Sequence, residues 1–203
     1  MKTFFAAIAA TLAAATAAPA IAQETTPAAP VIVVVNQQQI LAQSKAGKSI
    51  AAQIEKLGET VQAELAAEAE KIRAEGERLQ QQRELLAEDA FAEQVRAFQV
   101  KQQELGRLRE KKLRELQLSE QQAFGLVGEE MRPILEEIVN ARGATIMLDR
   151  ADVMFAAQST DITPEVLAKL DAKIQTIAVE RIDLDKVAEE LRAAQAAASE
   201  QAQ

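Results

Sequence analysis

The chain has 203 residues, 23 Lys+Arg against 31 Asp+Glu, a formal net charge of −8, and no Cys, His, Trp or Tyr. Those absences exclude zinc-finger spacings, thiol nucleophiles, Ser-His-Asp relays and disulfide frameworks. No D-x-[DN]-x-[DN]-G calcium loop is present either, so the residues assign no catalytic group, no metal and no cofactor. Aromatics at 3% are too few for base-stacking platforms, and the acidic balance opposes phosphate backbones, which excludes nucleic acid as a partner. Apolar residues reach 48%, but much of that is Ala, which buries little area per residue. Long helices with narrow seams and a modest core are expected.

Met1 and Lys2 make a short basic start, residues 3–18 an uncharged apolar run, and Ala20-Ile21-Ala22 an A-x-A pattern. That is the layout of a secretory signal peptide. The run of about 16 Ala-dominated residues falls short of the ~20 strongly apolar ones of a spanning helix. Cleavage after Ala22 is therefore expected, with export to the periplasm in a Gram-negative cell. It removes Lys2 and makes the net charge one unit more negative. A chain without Cys suits an oxidising compartment. Residues 23–30 read as a flexible leader.

Val31, Ile32, Val33, Val34 and Val35 form a β-branched run between Pro30 and Asn36, predicting a strand buried on both faces or in an oligomer. No proline follows until Pro133, so nothing forbids a long helix. Ile50, Ile54, Leu57, Val61, Leu65, Ile72, Leu79 and Leu86 fall on one helical side at mixed 11- and 7-residue spacings, a coiled-coil-like stripe. A second, less regular stripe runs from Phe91, Val95 and Phe98 through Leu105, Leu116 and Val127 to Ile138. One helix over 44–132 would be ~130 Å long, whereas two arms of ~60 Å can bury their seams on each other. A helical hairpin with its tip near 86–91 is predicted. Gly76, Gly106, Gly125 and Gly128 interrupt the arms, each at ~1 kcal/mol relative to Ala; they are either tolerated or let the arms splay.

Arg142-Gly143 is a helix stop. Residues 144–148 (ATIML) predict a second strand, 149–152 a turn, and 153–157 (VMFAA) a third strand completing a hairpin. In Asp161-Ile162-Thr163-Pro164-Glu165, Thr163 is the expected cap of a helix that continues through Val166, Leu170, Ile174 and Ile177. The tail from Asp185 onward could be an Ala-rich helix but has no evident partner, so fraying is expected. Three short strands cannot make a stable sheet alone; they need the helices or other copies. The fold class is thus α+β: a long antiparallel helical hairpin (44–132) on a small β-containing body (31–43 and 133–175), with 176–203 as a C-terminal extension.

The segment Ala42-Gln43-Ser44-Lys45-Ala46-Gly47-Lys48-Ser49 satisfies a relaxed phosphate-loop pattern, and Ile146-Met147-Leu148-Asp149 could pass for its acidic partner strand. A phosphate loop must turn directly from a strand into a helix. Here six helical-looking residues intervene, so no nucleotide is expected and Gly47 is read as relaxing a helix junction. Carboxylate pairs such as Glu129-Glu130 and Glu136-Glu137 read as solvated helix faces rather than acid/base dyads, and the chain is not expected to be an enzyme.

Taken together, the signal, VIVVVN, S-K-A-G-K-S at the foot of a Gln/Glu/Lys-rich hairpin, and IMLDRADVMFAAQSTDITPEVLAKL resemble the Skp/OmpH family of periplasmic chaperones over about residues 31–175. The resemblance implies a homotrimer whose strands, here Val31 to Val35 and Ile146, Met147 and Leu148, combine into one body from which three hairpins project around a cavity. It also implies ATP-independent holding of unfolded outer-membrane proteins before membrane insertion. Leu79, Leu86, Phe91, Val95 and Phe98 are the candidate client contacts on the arms. Glu84, Glu88, Asp89 and Glu93, with no Lys or Arg in 84–93, argue against lipopolysaccharide or anionic membrane as a partner. The alternative is a structural or adaptor coiled-coil protein of the envelope.

Overall fold

The computed structural model describes residues 29–201; the signal segment and nearly all of the leader lie outside them. The order is β1 (Ile32–Val35), α1 (Gln37–Gln43), α2 (Lys45–Gln82), α3 (Glu88–Ala141), β2 (Ile146–Asp149), α4 (Thr163–Lys173) and α5 (Leu184–Gln201). Two 3-10 turns, Arg150–Asp152 and Gln158–Thr160, lie between β2 and α4. The long helices of 38 and 54 residues correspond to ~57 and ~81 Å at 1.5 Å per residue. They run antiparallel: Gly58 faces Leu116 and Gly76 faces Phe98. The chain reverses at 83–87, overlapping the expected 86–91 window only at its first two residues. α3 carries on through Pro133, whose missing N–H forgoes one helical bond, and ends in a Schellman arrangement. There Gly143 adopts φ 60, its N–H reaches Asn140 O at 3.1 Å, and Ala144 N–H reaches Val139 O at 2.9 Å.

β1 pairs with β2 in parallel, Ile32 opposite Ile146 and Val35 opposite Asp149. On its other side Ile162 N–H donates to Val34 O at 2.9 Å. β1 is therefore the central strand, and Val33, Val34 and Val35 are buried on both faces as their β-branched run predicts. The third strand expected at 153–157 does not form. β2 runs parallel to β1 rather than leading into a hairpin, and the Arg150 guanidinium takes the Val153 carbonyl at 2.7 Å, an acceptor that a ladder would need. Thr163 does not cap α4 either. Asp161 Oδ1 accepts the Thr163 N–H at 2.8 Å, while the buried Thr163 hydroxyl accepts the Asn36 N–H at 2.8 Å and ties α4 to the end of β1.

The core sits where the hairpin's two ends meet. Val33 and Val35 from β1, Ile40 from α1, Ala46 and Ile50 from α2, Val127, Ile134 and Ile138 from α3, and Ile162, Val166 and Leu170 near α4 form one cluster. The sharp α1–α2 junction depends on Ser44, whose Oγ accepts the Gly47 N–H at 3.0 Å, and on Gly47 itself. A β-carbon there would stand 1.6 Å from the Leu41 carbonyl oxygen.

Beyond α4 the chain finds the partner that the sequence did not reveal. Residues 174–183 run irregularly along the base of the hairpin before α5 begins. The Gln53 side chain of α2 donates to Ile177 O at 2.8 Å and accepts from Val179 N at 3.1 Å. Arg181 makes two 2.8 Å bonds to the Glu64 carboxylate of α2. On α3, Ser119 Oγ accepts from Ile182 N at 2.9 Å and Glu115 Oε1 from Leu184 N at 3.1 Å. Lys111 pairs with Asp185, and Ile174, Ile177 and Val179 pack on the core.

Two outcomes follow from these contacts. Gly47→Ala, though it gains ~1 kcal/mol of helix propensity, is expected to destabilise by about 2 kcal/mol or more through overpacking. Gly106→Ala, with nothing within 4 Å of its added carbon, is expected to stabilise by up to ~1 kcal/mol; urea midpoints of both variants check the opposite signs. The bond from Arg181 holds the Glu64 carboxyl below its ordinary pKa, and the Asp185 and Lys186 N–H groups do the same for Asp183. Lowered carboxyls contribute stability above their ordinary pKa and lose it as pH falls through the lowered values. The Glu64 and Asp183 contacts of the 174–185 segment should be fully present from neutral to alkaline pH and weaken as pH falls below the ordinary carboxylate range of about 4, read from the NMR amide shifts of Arg181 and Asp185.

Candidate functional site

Between residues 62 and 114 no residue is buried. The distal arms touch along a half-open seam, because a two-helix contact buries only a stripe and, among the described residues, no third element covers it. Near the turn that seam widens into a groove of about 640 Å³, lined by Ile72, Gly76 and Leu79 from α2 and Phe91, Val95 and Phe98 from α3, with Arg73, Glu77, Gln80 and Gln102 at its edges. Four of the five expected arm contacts, Leu79, Phe91, Val95 and Phe98, come together here. Leu86 lies in the turn, half-buried and outside the groove. Gly76 has a spatial reason: a β-carbon would lie 3.0 Å from the Phe98 ring, so the missing side chain seats the aromatic. Nearer the base, Lys101 bridges to Glu75 across the arms at 2.6 Å.

Other apolar side chains on the arms face outward. Leu85 is 82% exposed, Val100 52% and Leu113 53%. They fall between the seam positions of both helical stripes. A large apolar residue outside either stripe is the sequence signal of an outward-facing side chain. The acidic residues of the tip have a local role, since Glu88 and Asp89 occupy the first turn of α3 and complement its dipole.

The other sequence candidates resolve into structural contacts. Two amides of the phosphate-loop-like segment are already engaged by side chains: Lys45 N–H donates to the Asp171 carboxylate at 2.7 Å and Gly47 N–H to Ser44 Oγ. Glu130 pairs with Lys173 at 2.8 Å and Glu137 with Lys169 at 2.7 Å, tying α3 to α4. The hydrogen bond to Glu137 raises the Lys169 pKa. Glu130 and Glu137 are thus each engaged by a lysine of α4.

At the body, the residues expected to associate divide into two groups. Val33, Val34 and Val35 are buried in the chain's own core, whereas Val31, Ile32, Ile146, Met147 and Leu148 are each about two-fifths exposed. Met154 and Phe155, in the segment expected to be a strand, are wholly or mostly exposed. A two-stranded sheet with an apolar surface at its open edge is marginal alone.

The family model described as "Outer membrane protein (OmpH-like)" matches residues 31–170. A crystal structure of a Caulobacter crescentus CB15 protein, described as a "putative outer membrane chaperone (OmpH-like)", has a TM-score of 0.71 and 29% identity, over 79% of this chain and 95% of that one. No curated protein matches the chain. The family match stops within α4, so the 174–185 segment and α5 lie beyond it. With the hairpin, the small parallel sheet and the capped junctions all falling inside the matched span, the chain belongs to the OmpH-like outer membrane protein family.

Proposed function

We propose that the protein is an ATP-independent periplasmic holdase that keeps unfolded outer-membrane proteins from aggregating before membrane insertion. Membership of the OmpH-like family supports a chaperone role in general. The observation that carries the finer reading is the half-open apolar groove at the arm ends, together with the outward Leu85, Val100 and Leu113. An unfolded β-barrel strand presents apolar side chains on alternate residues and needs many weak contacts rather than one tight pocket. Full burial of a Leu or Phe is worth about 1.5–3 kcal/mol, so partial contacts of this kind can be shed one by one without a nucleotide. Two of the amides that would cradle a phosphate, those of Lys45 and Gly47, are held by Asp171 and Ser44, which favours a nucleotide-free cycle.

Three copies joined through their bodies would set three hairpins around a shared cavity. Support comes from the open β2 edge and the exposed Ile146, Met147, Leu148, Met154 and Phe155, an apolar surface that the described residues of one chain leave uncovered.

The mature protein should keep a denatured β-barrel protein in solution at stoichiometric amounts without ATP; unhindered aggregation, followed by light scattering, would refute the holdase. Phe91→Ser with Phe98→Ser is expected to weaken holding several-fold while leaving the sedimenting mass unchanged. Phe155→Asp with Met147→Asp is expected to do the reverse at the body and lower the sedimenting mass. A mature chain that sediments as a stable monomer would refute the trimer.

A further inference from the structure

The arms are not equally held along their length. Val61 on α2 and Glu115 on α3 are the last buried residues before the turn and the first after it. The 174–185 segment reaches the same level and goes no further, since Arg181 grips Glu64 and Asp185 meets Lys111. Its bonds cross once from one arm to the other: residues 177–181 bond Gln53 and Glu64 on α2, and residues 182–185 bond Ser119, Glu115 and Lys111 on α3. A segment bonded to both helices resists their separation, because opening the stem breaks one set of bonds or the other.

The receiving side is built for this occupant. Gln53 engages the carbonyl of 177 and the N–H of 179, and Ser119 and Glu115 take the N–H groups of 182 and 184. Each pair reads main-chain groups two residues apart, as a strand partner would. Glu115 and Ser119 are each 1% exposed. Without the segment each loses a main-chain donor: Ser119 Oγ keeps its own bond to the Glu115 carbonyl, and the Glu115 carboxylate keeps the Lys111 and Lys112 ammonium groups of α3.

We propose that residues 174–185 are a stay: an extended strap that locks the proximal halves of α2 and α3 into a rigid stem and confines splaying to residues 65–110. The stay sets where the hinge of each arm lies. It concerns the mechanics of the hairpin and holds whether or not the arms carry clients.

Hydrogen exchange on the full mature protein tests it. Val179→Asp with Arg181→Glu places charge against the core and beside Glu64, in a segment outside the family-matched span. Stem amides at 53–64 and 111–119 are expected to exchange about tenfold faster or more, with 65–110 unchanged. Free exchange of 177–185 with an unaltered stem would overturn the proposal. If that variant also loses protection at 33–35, the chain's lack of cysteine allows a second one: Glu64→Cys with Arg181→Cys, joined by a short bismaleimide. The cross-linked stem is expected to exchange more slowly than the same protein uncoupled, and equal rates would overturn the stay.

Discussion

Two helices packed side by side can bury only one stripe each, and the architecture follows from that limit. Along the distal arms the stripe is all there is, so no residue between 62 and 114 escapes solvent. Stability has to be imported where more elements converge. At the base, β1, α1, α4 and the 174–185 strap cover the remaining faces, and the fully buried Ile40, Ile50, Ile138, Ile162 and Leu170 all lie there. The molecule is a cored base carrying uncored arms, and the proposed function uses the part that the core does not reach.

The same division explains the surface. Apolar side chains on the arms stay partly wet because covering them would need a third helix, which would also close the groove. Those at the β end stay wet for another reason: β1 has neighbours on both sides, while β2 has one. The first surface is the one proposed to meet clients, and the second the one proposed to meet copies of the same chain.

Much of this was legible in the sequence. Helix-period stripes and the long proline-free span gave the arms, VIVVV the central strand, and Gly143 the end of α3. Four groove residues emerged from position along the stripes. What failed was chemistry that depends on partners far away in the chain. Thr163 looked like a cap, yet its hydroxyl serves Asn36, 127 residues away. Residues 153–157 have strand composition, but the parallel pairing of β1 with β2 left them no ladder to join. The strap was invisible because its recognition is mostly through main-chain groups, received by Gln53, Ser119 and Glu115, polar residues that resemble any others on a solvated helix.

Placing β1 at the centre of the body has a cost during synthesis. Val31 accepts from Thr145 across 114 positions, so the strand made first cannot pair until most of the chain exists. Helical hairpins form from local contacts and can bring those ends together early, which shortens the loop that strand pairing must close. Until then the VIVVV run is an unpaired, uncharged β-branched segment of the kind prone to cross-strand aggregation. A protein proposed to shelter unpaired strands thus begins its own life with one exposed.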